Sequence, residues 1–232
     1  MTSFTNETLR LVKNKESRDL LKNYFEVLID TVTDSEIIKR IPFVDTLTSC
    51  GKIALSIRDR IFFRKLLAFL ERLDDFSQEE IDNFIDNIRE KNKIEELGEK
   101  IISTVDQADT KRKARLLGIL FIMYLKGELS KNNFELLCFC VNKAFLIDLY
   151  LLYHTRNNED GIDERLGNAL MNCGLANIII EQIGGKTKLG DKFITDNDST
   201  VLMSNRYIVN EWGRMLFPAI KKLIKVQTGE NY

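Results

Sequence analysis

The sequence predicts a mainly α-helical protein, a multi-helix bundle over residues 1–155 followed by a small α+β, winged-helix-like part over residues 156–232. Three observations carry that expectation. Apolar residues recur at three- and four-residue intervals through most of the first two thirds of the chain. Only two prolines occur in 232 residues, with 30% charged and 44% hydrophobic side chains, the composition of an ordered chain. After residue 155 the pattern changes to short apolar runs punctuated by glycines and polar loops.

Taken in order, residues 6–32 place Leu9, Val12, Leu20, Leu21, Tyr24, Phe25, Leu28 and Val32 at helical intervals, with a break near Lys15. Thr33 or Asp34 caps a short helix that ends before Pro42, because proline disfavours helical geometry in the residue preceding it, and a turn follows at Arg40–Phe43. From Phe43 to Leu73 the spacing is again helical, divided at Gly51. Ser77 and Glu80 form the Ser-x-x-Glu capping box of a helix that aligns Ile81, Phe84, Ile85 and Ile88. A further helix from about Lys93 carries a narrow stripe of Ile94, Leu97, Ile101, Ile102 and Val105, which places it on the surface, and it ends near Asp106–Asp109.

Two segments, Lys111–Lys126 and Lys131–His154, are apolar around nearly their whole circumference and meet at Gly127, with Ser130 capping the second. Helices of that kind belong in the middle of a domain, wrapped by amphipathic neighbours. Asp148, inside the second segment, then needs a cation from a neighbouring helix, because an unpaired buried carboxylate costs several kcal/mol.

The loop 157–161 marks a boundary. Beyond it, Ile162–Cys173 reads as a short helix closed by Gly174. The segments 176–182, 188–194 and 200–209, with a turn at Gly184–Gly185, read as two or three strands. A last helix from Glu211 buries Trp212, Leu216, Ile220 and Leu223 and is kinked or interrupted at Pro218.

Thirty-four basic and 35 acidic residues leave a net charge of −1, so no global field recruits nucleic acid or anionic membrane, and such binding would require a local patch. The N-terminal stretch has no apolar signal-peptide core, and no run of about 20 apolar residues spans a membrane. Cys50, Cys138, Cys140 and Cys173 read as buried, reduced thiols, and together these features predict a cytoplasmic protein.

Chemical motifs are scarce, and the reading is of no enzyme, no cofactor and no metal. His154 reads as a satisfied core or helix-capping histidine without a nucleophile in a recognisable motif around it. Gly184-Gly185-Lys186-Thr187 lacks the upstream glycine and following helix of a phosphate loop. Asp106, Asp109 and Glu128 do not have the spacing of a calcium loop, and Asp74–Asp75 reads as a solvated or capping pair.

Three surfaces remain as binding candidates. The order helix, strand, two-glycine turn, strand, helix over 162–224 resembles a winged helix, with Arg165, Lys186, Lys188 and Arg206 available for phosphates and Asn168 and Asn172 for adenine edges. Acidic neighbours offset those cations, which favours a protein-binding wing. Lys111, Arg112, Lys113 and Arg115 open a helix, where they either pair with Asp106 and Asp109 or hold an anion together with the first-turn amides. Ile41–Leu70, small-residue-rich and then basic and apolar, either packs on the core, lines an oligomer or partner contact, or lies on a membrane surface.

The run Asp106-x-x-Asp109-x-Lys111 leading to Leu116, Phe121, Gly127, Ser130 and Phe134, about 50 residues, resembles the tellurite-resistance B-like helical domains. That resemblance implies a helical fold and a bacterial stress or phage-conflict setting. The acidic metal-binding positions of the family have no clear counterpart here, so metal binding does not carry over. From Leu166 through Gly174 to Tyr207 and Trp212-Gly213 the chain also looks like the small winged end of uncharacterised bacterial and prophage helical proteins. The functional expectation is a non-enzymatic interaction or regulatory protein acting through a protein partner or self association, with nucleic-acid binding and membrane-surface activity as alternatives.

Overall fold

In the computed structural model the first 30 residues form two helices, α1 (Thr2–Lys13) and α2 (Lys15–Asp30), separated at Asn14 as the Lys15 break predicts. The structure describes residues 2–30, 57–87, 91–157, 161–183 and 202–228. The expected helix capped by Thr33 or Asp34, the turn at 40–43, the division at Gly51 and the strand at 188–194 lie outside them. The described helices continue with α3 (Ile57–Leu70), a 3-10 turn at Glu71–Asp75, α4 (Gln78–Asn87), α5 (Lys91–Gln107), α6 (Lys111–Leu125), α7 (Lys131–Lys143) and α8 (Leu146–His154). After a second 3-10 turn at Thr155–Asn157 come α9 (Glu164–Asn172), β1 (Ala176–Ile183), β2 (Leu202–Val209), α10 (Glu211–Met215) and α11 (Phe217–Thr228). The described residues are mainly helical, with one small two-stranded antiparallel sheet among them.

The chain divides into two compact units, residues 1–142 together with 222–232, and residues 143–221. The first unit is built on α6. Ten of its residues between Lys113 and Met123 are buried, as its all-round apolar sequence requires. Gly118 lets α3 approach so closely that a Cβ there would stand 2.2 Å from the Phe69 carbonyl oxygen. Phe69, Phe121 and Phe134 pack with ring centroids 5.4 and 5.8 Å apart, and Tyr124 stacks on Phe134 at 5.2 Å.

The helix ends follow their sequence signals. Ser77 N donates to Glu80 Oε2 at 2.9 Å and Glu80 N to Ser77 Oγ at 3.2 Å, the reciprocal capping box. The Ser77 bonds hold the Glu80 carboxyl below its ordinary pKa. Gly127 ends α6 at φ 73°, with Gly127 N donating to Tyr124 O and Glu128 N to Met123 O, the paired bonds of a Schellman cap. Gly174 (φ 81°) ends α9 identically, through Gly174 N to Met171 O and Leu175 N to Leu170 O, with Leu170 and Leu175 both buried.

A device with no sequence signature recurs at three other helix ends. Arg18, 1% exposed, donates to Leu11 O and Val12 O at the end of α1 and to Asp74 Oδ1 at 3.0 Å. Lys65 Nζ donates to Asp106 O at 2.7 Å and Ala108 O at 2.9 Å, just past α5. Lys113 Nζ reaches Asn142 O at 3.3 Å at the end of α7. Each buried cation satisfies carbonyls that a helix leaves without partners and neutralises the negative end of its dipole. Desolvation lowers the Lys65 pKa, opposed by the charges of Asp106 and Asp109.

The continuous helix expected over 131–154 is instead two helices, α7 and α8, interrupted at Ala144 and Phe145. Phe145 is extended (φ −72°, ψ 142°) and caps α8 with its carbonyl, which accepts from Asp148 N and Leu149 N. Neither glycine nor proline causes the break. Asn142 O, which a continuous helix would pair with residue 146, is taken by Lys113. Nor is this second segment wrapped on all sides, because Phe139, Phe145 and Ile147 are exposed.

The predicted division at 155/156 lies inside the second unit, which therefore includes α8. Its framework is the β1–β2 ladder with α9 laid against it, and Gly167 of α9 leaves room for the Tyr207 ring. Ile162 adds one antiparallel bridge to β2, with Ile162 N donating to Tyr207 O at 3.0 Å. Leu216 separates α10 from α11, whose second residue is Pro218. There the missing amide is tolerated and the expected interruption occurs. Leu216, Ile220 and Leu223 are buried as expected, whereas Trp212 is half-buried.

Candidate interaction surface

The helix α8 places its side chains in an order opposite to its chemistry. Asp148, Leu149 and Leu152 share the inward face, and Asp148 is its only acidic residue. The other face carries Ile147, Tyr150, Leu151 and His154 at helical spacing, with Phe145 just before the helix. Phe145 is 72% exposed and Ile147 61%, while Tyr150 and Leu151 are half-buried. A carboxylate thus sits inside and a phenylalanine and an isoleucine sit in water.

The inversion is held by Arg165, whose NH1 donates to Asp148 Oδ1 at 3.1 Å. This is the cation from a neighbouring helix that the Asp148 carboxylate demands, and it comes from the first turn of α9. Arg165 is itself mostly exposed, so water still reaches the outer side of the pair. Asp163 caps α9 by accepting from Leu166 N at 3.0 Å, which fixes the turn from which Arg165 projects.

The sheet carries a second exposed apolar element. Ile178 and Ile180 project from the β1 face that also holds Ala176 and, across the ladder, Tyr207. Ala176 and Tyr207 are buried, Ile178 is partly covered, and Ile180 is 63% exposed.

The predicted nucleic-acid residues do not assemble into a described site. Arg165 is engaged with Asp148, Arg206 is exposed on β2, and Lys186 and Lys188 lie outside the described residues. Asn168 accepts the Tyr207 hydroxyl at 2.9 Å, and Asn172 is exposed.

The predicted anion cluster is dispersed. Lys113 is buried and bound to Asp109 Oδ2 at 2.8 Å, and Arg115 Nε donates to Glu71 Oε2 at 2.8 Å, leaving Lys111 and Arg112 exposed on the first turn of α6. The expected pairing with Asp109 is present, but Asp106 lies instead near Arg58, at 3.6 Å.

Of the segment 41–70 only 57–70 is described. There Phe62, Phe63, Leu66, Phe69 and Leu70 are buried, and Arg58, Arg60 and Arg64 are exposed.

Of the two positions expected for His154, core or helix C-terminus, it takes the second. It is exposed in the last turn of α8, edge-on to Tyr153 at 6.0 Å. Cys138, Cys140 and Cys173 are buried cysteines outside any disulfide, and burial raises the Cys138 pKa strongly. Asp74 is a paired rather than solvated carboxylate, bound by Arg18 and Lys22. Among the described residues no group of three His, Cys, Asp or Glu side chains is placed to hold a metal ion. No single described helix is long and apolar enough to cross a membrane; α7 and α8 together have the length and composition but are interrupted at 144–145.

No protein-family model, curated protein or solved structure matches the chain.

Proposed function

We propose that this chain is a non-enzymatic interaction protein that works by association with a protein partner or with itself, in the bacterial stress or phage-conflict setting implied by its resemblance to tellurite-resistance B-like domains. The observation that supports this reading is the inverted α8. Its buried Asp148 is stabilised at a cost in desolvation, while Phe145 and Ile147 remain in water. Adjacent exposed aromatic and aliphatic side chains suit an interface core, where desolvating them contributes roughly 25 cal/mol per Å². In this reading the second unit is a winged-helix-like part adapted to protein contact, its α9–β1–β2 order preceded by the Ile162 bridge.

The test is sedimentation velocity of the full chain over a wide concentration range, with the purified material also inspected for a bound partner. Self association or a stoichiometric partner is expected, and Ile147→Lys should weaken it while leaving the circular dichroism spectrum unchanged. A monomer at every concentration with nothing bound would overturn the reading.

A further inference from the structure

We infer that two copies of this chain pair through the edge of β1 that faces away from β2, antiparallel and centred on Ile179. This pairing rests on the association reading above and names its partner.

The direction of the β1 backbone groups follows from a single bond. Asn210 N donates to Leu175 O at 3.1 Å, so residues 175 and 210 form a hydrogen-bonded pair at the end of the ladder. Such pairs alternate with non-bonded ones along an antiparallel register. Continuing the register from Ala176↔Val209 makes Asn177, Ile179 and Glu181 the bonded positions. The amides and carbonyls of Ala176, Ile178, Ile180 and Gln182 therefore point away from β2. Ile162 confirms the parity from the other side, since it binds the outward carbonyl of Tyr207, the partner of Ile178.

Among the described residues, no hydrogen bond reaches the outward groups of Ile178 or Ile180. The eight-pair register runs without a bulge, and β1, Ala-Asn-Ile-Ile-Ile-Glu-Gln-Ile, contains neither lysine nor proline. Bulges, lysines and prolines are among the devices by which sheet edges ordinarily avoid joining another strand, and β1 carries none of these three.

The sequence of β1 selects a second copy as the occupant. Outward groups must meet outward groups, and a two-fold axis at Ile179 does this by placing Ile178 opposite Ile180 of the second copy and Ala176 opposite its Gln182. Four isoleucines then meet on one face, where Ile180 is now bare. On the other face Ile179 meets its own counterpart. Glu181 is the only charged residue in the β1 sequence, and in this register the two 181 positions lie four residues apart along the strands, about 14 Å, beyond the screening length in physiological salt. No like charges oppose one another.

Two variants of the full chain test the pairing. Position 179 meets its own counterpart as a non-bonded pair, close enough for a disulfide. Under mild oxidation Ile179→Cys should give a covalent dimer on a non-reducing gel, and neither the parent chain nor Asn177→Cys should. Ile180→Pro removes an outward amide without touching the β1–β2 ladder, so the monomer fold should persist by circular dichroism and melting. Each dimer loses two bonds, and its dissociation constant should rise about tenfold or more.

An uncross-linked Ile179→Cys chain, or bridging by Asn177→Cys as efficient as by Ile179→Cys, would overturn this geometry. Self association abolished by Ile147→Lys but untouched by Ile180→Pro would overturn strand pairing and leave the association reading standing. A monomer at all concentrations with no bound partner would overturn both.

Discussion

The helices α6 and α8 look alike in sequence, and the structure treats them differently. Both are apolar around most of their circumference, and each carries one charge at a position that ends up buried, Lys113 in α6 and Asp148 in α8. Around α6 the first unit supplies cover on every side, down to backbone contact at Gly118. Around α8 cover reaches only the Asp148, Leu149 and Leu152 side. Apolar periodicity reports that a side chain is better off out of water, but the chain itself need not provide what removes it. Where it does not, the surplus stays in water.

That contrast can be sharpened by substitution. The largest effect is expected from Gly118→Ala, because the new Cβ would meet backbone atoms of Phe69 rather than a yielding side chain. Forcing α3 and α6 apart should cost about 3 kcal/mol or more in urea unfolding. Arg165→Met comes next. It strands the buried Asp148 carboxylate, and a loss of about 2 kcal/mol is expected, tempered by the exposure of the pair's outer side. Gly127→Ala should cost about 1 kcal/mol, since nothing lies within 4 Å of the added Cβ and only the positive φ penalises it.

Ile147→Lys should change stability by no more than about 0.5 kcal/mol, as for most exposed positions, while weakening association. A large destabilisation by that change would place the outer α8 face in the same category as α6 and remove the contrast.

The pH dependence offers a smaller probe of the first unit. Burial alone would raise the Asp74 pKa, but hydrogen bonds and charge from Lys22 and Arg18 outweigh it and hold the value below that of a free aspartate. A carboxyl depressed in the folded state contributes stability above its unfolded pKa and loses it as pH falls through the folded value. Stability should therefore fall below about pH 4, and Asp74→Asn should flatten that part of the curve in a pH series of thermal melts.

Much of this architecture is legible from local chemistry. Ser77 with Glu80, Gly127, Gly174 and the break before Lys15 are signals acting within a turn of helix, and each corresponds to an observed cap or boundary. The need of Asp148 for a cation is likewise readable, because desolvation admits few alternatives. The interruption at 144–145 is not readable, since neither glycine nor proline marks it and the cation that holds the Asn142 carbonyl there, Lys113, is distant in sequence. The burial of Arg18 and Lys65 is hidden for the same reason, as a cation aimed at another helix's carbonyls has the sequence of a solvated one. The exposed edge of β1 depends on ladder parity, which composition does not encode.

Lys65 and Lys113 also make the first unit its own reporter. Their amines are buried and held by backbone carbonyls, so a reagent that acylates lysine can reach them only when α5 or α7 lets go of its end. The speed at which these two positions are labelled, set against exposed Lys111 in the same molecule, would time the breathing of individual helix termini in the intact protein.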